Sequence, residues 1–117
     1  MHRVVCAVDC RLVVNPTGRE GQAETASSWG LSATLHGRID FRNGNAVQES
    51  FGDFEVIRIS ESPAIEIYIV PSKLPPGGFG ETAVPPVAPA IANAIFAATG
   101  NRFATAAHHS GKTQGLE

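Results

Sequence analysis

The sequence predicts an α+β fold: a mainly antiparallel sheet with two helices packed on one face, in the order β-α-β-β-β-β-α. Three observations carry this. Val- and Ile-rich extended runs recur along the chain, bounded by Gly, Pro, Asn and Asp. An Asn43-Gly44 pair divides two such runs, and this dipeptide is the strongest short-range hairpin signal. Two segments carry helical boundary signals and helical apolar spacing. Helices gathered on one face of an antiparallel sheet are the natural way to bury both.

The elements follow in order. Val4–Val14 reads as a strand, with Val4, Val5, Val8, Val13 and Val14. It ends at Asn15-Pro16, where Asn serves as N-cap and Pro suits the first helical position. The first helix then runs to about His36, with Ala23, Ala26, Trp29 and Ala33 on one face and Leu31 and Leu35 adjoining. Gly18 and Gly21 each cost about 1 kcal/mol relative to Ala in a helix, so tertiary contacts must hold its first turns. Gly37 stops it. A hairpin over 38–51 turns at Asn43-Gly44 with its register open: a two-residue turn pairs Phe41 with Ala46, a three-residue bulged turn pairs it with Val47. Phe54–Ile59 and Ala64–Val70 add two more extended runs, the second with Ile65, Ile67 and Ile69 on one face, opposite Glu66 and Tyr68. Val87, Ile91, Ile95 and Ala98 mark the second helix, closed by Gly100. The domain is expected to span 1–103. Residues 104–117 have no apolar period and read as a disordered tail holding His108 and His109. The terminal Leu116-Glu117 after Gly115 reads as a cloning remnant ahead of a purification tag.

At 117 residues the chain is one domain, and 43% apolar with 17% charged residues is a folded composition. The net charge of −2 comes without a dense Lys/Arg run, which argues against a nucleic-acid partner. No apolar run approaches the roughly 18 residues a membrane span needs. In a strand, Cys6 and Cys10 stand about 13 Å apart at roughly 3.3 Å per residue, too far for the roughly 7 Å a disulfide permits. No histidine matches them in zinc-ligand spacing, so they read as buried structural thiols in a reducing, cytoplasmic setting, and no metal site is expected.

Chemistry concentrates in the stretch P-P-G-G-F-G-E-T-A-V-P-P from Pro75 to Pro86. Glu81 follows three glycines, whose lack of Cβ lets a bulky group approach the backbone. Phe79 and the flanking prolines would keep the loop stiff and partly dry, the setting in which a carboxylate works as a base. Gln22, on the weak early turns of the first helix, is the second candidate. On residue type alone Glu81 also fits a solvated turn, and Gln22 an exposed helix position. There is no G-x-S-x-G, phosphate loop or H-E-x-x-H, and G-G-F-G-E lacks the spacing of a dinucleotide fingerprint.

Several segments together carry a resemblance: D-C-R-L-V-V-N-P (9–16), G-Q-A-E (21–24), W-G-L-S-A-T-L-H-G (29–37), the Asn-Gly hairpin, A-I-E-I-Y-I-V-P-S (64–72) and the 75–100 stretch. In this order and spacing they resemble the C-terminal end of the molybdopterin-binding large subunit of molybdenum hydroxylases. The branch is that of isoquinoline 1-oxidoreductase beta subunits, within the xanthine dehydrogenase and aldehyde oxidase family, and the match covers roughly residues 2–103. The resemblance implies that Glu81 is the base in water-dependent hydroxylation of an N-heterocycle or aldehyde carbon. It implies that Gln22 hydrogen-bonds the pterin and that the backbone at Gly78 and Gly80 approaches the cofactor. It further implies, as partners, the remaining domains of the large subunit and an iron-sulfur small subunit. The isolated chain is then expected to hold no cofactor and to turn nothing over. The rival expectation is a free-standing, non-catalytic relative that binds a protein. The chain departs from the family where Asp9-Cys10-Arg11 replaces D-C-G and where Glu24-Thr25-Ala26-Ser27-Ser28 makes the helix face smaller and more polar.

Overall fold

A computed structural model of the chain describes residues 1–102. The tail expected at 104–117, with its His pair and terminal remnant, lies outside the described residues. Six elements form in the order β1 (Arg3–Val8), α1 (Pro16–His36), β2 (Phe41–Arg42), β3 (Asn45–Ala46), β4 (Ala64–Ile69) and α2 (Val87–Thr99). The α+β class stands, with two corrections. The larger sheet is parallel, and Phe54–Ile59 is not a strand.

β1 pairs with β4 in parallel, from Arg3 opposite Ala64 to Val8 opposite Ile69. The physical reason lies in the apolar faces. Val4, Cys6 and Val8 of β1 and Ile65, Ile67 and Ile69 of β4 are partly buried, as is Glu66 on the other face of β4. Both faces need one cover, and α1 lies in the connection between the strands. A parallel pair requires such a crossover, whereas an antiparallel pair is joined by a short turn. α1 packs on β4, and α2 packs on α1 rather than on the sheet. The segment at Phe54–Ile59 joins neither sheet. Its Ile57 N–H donates to the Ser32 hydroxyl (3.1 Å), and the chain then turns through Ser62 N–H to Arg58 C=O (3.0 Å).

Strand β1 also ends earlier than Val14. The Arg11 N–H donates to the Asp9 carboxylate (2.9 Å) and Arg11 adopts φ 62°, a left-handed turn that breaks the extended run. Past the turn, Leu12 N–H donates to Leu74 C=O (3.0 Å) and Gly77 N–H to Cys10 C=O (3.3 Å). These two bonds tie the glycine-rich loop to the end of β1.

The local signals form the elements expected of them. Asn15 caps α1 by accepting from Gly18 N–H (3.0 Å), with Pro16 in the first turn and Gly37 at the C-cap. The hairpin takes the two-residue turn, Phe41 opposite Ala46, with Asn43 at φ 50° and Gly44 at φ 82°. Both turn residues at positive φ is the turn whose twist matches paired strands. Gly100 ends α2 at φ 77°, its N–H donating to Phe96 C=O (2.8 Å).

The buried stripe of α1 differs from the expected one. Trp29 is 62% exposed and Ala33 is exposed, while Ala23, Ala26, Ser27, Gly30, Leu31 and Thr34 are buried. Small residues win here because α2 comes close: a Cβ on Gly30 would meet the Val87 side chain at 2.6 Å and Val84 C=O at 3.0 Å. The buried hydroxyls of α1 bond back within the helix, Thr34 donating to Gly30 C=O (2.7 Å) and Ser32 to Ser28 C=O (3.0 Å). Cys10, Ala23 and Phe79 form the core cluster, ringed by Val8, Val13, Ile67 and Ile69. Cys6 and Cys10 are both free thiols; Cys10 is buried, Cys6 half-buried. Large apolar side chains remain exposed around this small core, among them Val5, Trp29, Phe41, Phe51, Ile59, Tyr68 and Phe96.

Candidate functional site

Two distant stretches of chain line one open-sided cavity of about 560 Å³. One wall is the first half of α1: Gly18, Gly21, Gln22, Thr25, Ala26 and Trp29 fall at helical spacing along it. The other is the loop before α2, through Gly80, Glu81 and Val84. Gln22 and Glu81 thus meet at one surface although 59 positions separate them in the sequence. Gly78 belongs to the same loop and does not line this cavity.

The loop is held from both sides. Phe79, 7% exposed, anchors it in the core beside Cys10 and Ala23. After the site, Val84 N–H donates to Glu81 C=O (2.9 Å) and Val87 N–H to Val84 C=O (3.2 Å), which leads directly into α2. Phe79 is buried while Gly80 and Glu81 stand exposed, so the chain presents the carboxylate on a fixed loop without enclosing it. The dry surroundings expected for Glu81 are not made by the described residues.

The glycines act differently from one another. A Cβ on Gly78 or Gly80 would meet nothing within 4 Å, and neither residue has a positive φ. Nothing within the described chain requires glycine at these two positions; at Gly80 the open space lies on the cavity. Gly21 is likewise open, whereas Gly18 lies under the Asn15 cap.

One residue joins the two walls and escaped the sequence reading. Arg19 Nη1 donates to Gln22 Oε1 (3.3 Å) and to Phe79 C=O (3.2 Å). Its guanidinium carbon lies 5.9 Å from the centre of the Phe79 ring. The signal available in sequence was its position, three residues before Gln22 on the same stripe of α1. Among the described residues no group of three or more His, Cys, Asp or Glu side chains could hold a metal ion. None of the described helices is long and apolar enough to cross a membrane.

No family model matches the chain. Individual relatives do. The chain is 38% identical over 101 residues to the membrane-bound aldehyde dehydrogenase (pyrroloquinoline-quinone) of Gluconacetobacter polyoxogenes. It is 37% identical over 102 residues to a nicotinate dehydrogenase subunit of Pseudomonas putida, and 33% over 101 residues to the beta subunit of isoquinoline 1-oxidoreductase of Brevundimonas diminuta. Each match covers 86% of this chain, which spans 13%, 9% and 13% of those proteins respectively. The same fold occurs in the reconstituted CO dehydrogenase of Oligotropha carboxidovorans, with a TM-score of 0.73, 22% identity, and coverage of 86% of this chain and 14% of that one. It also occurs in a crystal structure of the Cu,Mo-CO dehydrogenase, with a TM-score of 0.68, 24% identity, and coverage of 77% and 12%. The ordered motifs, the shared fold and these matches agree: the chain is homologous to one segment of the large subunits of molybdenum hydroxylases.

Proposed function

We propose that this chain is the cofactor-contacting piece of a molybdenum hydroxylase large subunit, with Glu81 as its proton-accepting base. The observation that supports this most is the shared cavity, where an amide from α1 and a carboxylate from a glycine-rich loop face the same space. That wall suits molybdopterin. Gly18, Gly21 and Gly80 keep side chains out of it, Gln22 offers an amide, and the donor set suits an organic group that brings its own metal rather than a bare ion. When bound, the cofactor supplies oxygen transfer to the substrate carbon and takes up the two electrons of hydroxylation.

The chain's own residues do the rest. A Glu81 carboxylate oxygen takes up the proton released as water is consumed, from a loop anchored by Phe79 and by the Val84 N–H bond. Gln22 hydrogen-bonds the pterin. The backbone at Gly80, and at Gly78 farther along the loop, lets the cofactor lie against the chain without a Cβ in the way. The opposite wall comes from the remaining domains of the large subunit, with an iron-sulfur small subunit as electron partner. The substrate class is an N-heterocycle or aldehyde carbon. The proposed compartment is the cytoplasm, where two free thiols stay reduced.

The test is Glu81→Gln in the full-length subunit with its partner chain. Turnover should fall at least about 100-fold, the usual scale for losing a positioned base, with molybdenum content unchanged. Retained turnover overturns the assignment. The chain alone should bind no molybdenum, and stoichiometric binding would show the site to be complete without other domains. One relative's name carries a quinone instead, and elemental analysis separates the two cofactors.

A second reading, a non-catalytic module that docks on a protein, is favoured by the many exposed large apolar side chains. A reading frame that continues upstream of Met1 into the rest of a large subunit favours the enzyme piece, and an in-frame stop there favours the module.

A further inference from the structure

We propose that Arg19 is the positioning residue of this site: one guanidinium nitrogen fixes both which end of the Gln22 amide faces a ligand and where the glutamate loop lies. The cofactor's identity rests on the reading above; the geometry of Arg19 does not. Arg19 is half-buried on the second turn of α1, between Gln22 and the loop. Its Nη1 carries two hydrogens, and the structure gives each an acceptor: Gln22 Oε1 at 3.3 Å and Phe79 C=O at 3.2 Å.

The chemistry of the pair sets a polarity. A guanidinium has donors and no acceptor, so it can hold the Gln22 amide only by its oxygen. The amide is planar, and its nitrogen is therefore turned away from Arg19. Gln22 lines the cavity, and the group left for a ligand is its pair of N–H donors. The ligand atom met by Gln22 is accordingly an acceptor: a carbonyl oxygen, a ring nitrogen or a phosphate oxygen. Without Arg19 the amide can rotate, and a donor or an acceptor would be accepted equally.

The second bond acts on the loop. Phe79 precedes Gly80 and Glu81 directly, and its ring is pinned in the core beside Cys10 and Ala23. The guanidinium lies over that ring while bonding the same residue's carbonyl, so it is held by an anchored partner rather than swinging in solvent. One side chain thereby couples the orientation of Gln22 to the position of Glu81.

The experiment uses the full 117-residue chain, labelled with nitrogen-15, and needs no cofactor. Arg19→Met keeps an apolar stem against Phe79 and removes the donors. The Gln22 side-chain amide signals should move to the position of a freely rotating, solvated glutamine, and hydrogen exchange at Gly80 and Glu81 should rise on the order of tenfold. Arg19→Lys restores a charged nitrogen and should recover the Gln22 signature. Gln22 signals unchanged in Arg19→Met overturn the proposal. So does a freely rotating, solvated Gln22 signature in the unaltered chain, a result that stays readable if Arg19→Met fails to fold. A failed Glu81→Gln activity test with these signatures intact removes the cofactor reading and leaves the role of Arg19 standing.

Discussion

Gly30→Ala should destabilise the fold, although helix propensity alone predicts the opposite. An Ala in a helix interior is favoured over Gly by about 1 kcal/mol. Against this, the new Cβ would sit 2.6 Å and 2.9 Å from Val87 side-chain carbons and 3.0 Å from Val84 C=O. Real contacts of this kind are longer, and the carbonyl is backbone that cannot rotate out of the way. Overpacking costs about 1–3 kcal/mol, so the net loss is about 1 kcal/mol and the melting point falls by roughly 4–8 °C for a domain of this size. Val87→Ala alone should cost about 1.5 kcal/mol through two buried methyl groups. In the double variant the methyl added at position 30 takes the space released at 87, and the loss should be smaller than the sum by about 1 kcal/mol. Urea denaturation of the four proteins at constant m reads all of these values. A higher midpoint in Gly30→Ala would mean that α1 and α2 are farther apart than described. Gly30→Ala should also loosen the site, because Val84 bonds Glu81 C=O directly.

Two further variants test the turn after β1 and the strand pair. Arg11→Gly relieves a side chain held at φ 62°; the relief of about 1–2 kcal/mol, less about 0.4–1 kcal/mol for glycine's freedom in the unfolded chain, should raise the melting point by a few degrees, and a lower one would show that Arg11 holds the turn by its side chain. Glu66 receives two bonds from Arg3 across β1 and β4, the guanidinium donors and charge holding its carboxyl below the ordinary value of 4.5. A carboxyl lowered in the folded state stabilises above its unfolded value and loses that contribution as pH falls through the folded one. Sheet stability should therefore drop on acidification below pH 4.5, and Glu66→Gln should reduce that slope; Asp40, lowered by its bond from Arg38, keeps part of it.

Where a structural decision was local, its residues were readable in the chain. Asn15-Pro16, Gly37, Asn43-Gly44 and Gly100 each act within a turn of their own position, through a cap bond or a positive φ. The parallel pairing of β1 with β4 was hidden because strand direction depends on what covers the strands, and period-two patterning is the same in either direction. The buried stripe of α1 was misphased for a related reason. Hydrophobic pattern selects Trp29 and passes over Ser27, Gly30 and Thr34, yet these three are buried, and at Gly30 the approach of α2 leaves no room for a side chain. Gln22 and Glu81 stood out through their motifs, while Arg19 read as one more solvated charge until Phe79 was seen beside it.

The crossover between β1 and β4 also sets an order of assembly. The later turns of helix α1 and the Asn-Gly hairpin close through neighbours in sequence, whereas the sheet must close the whole loop from Val8 to Ala64. For a flexible loop of that length the entropic cost is roughly 3–4 kcal/mol, met before the pairing returns anything, so this step is the slow one. The glutamate loop is fastened to the end of β1 by Leu74 and Gly77, and can settle only after that closure. The weak first turns of α1 are tied to that loop through the bond from Arg19 to Phe79 C=O, so Gln22 and Glu81 are fixed together, and the two halves of the cavity are completed in one late event.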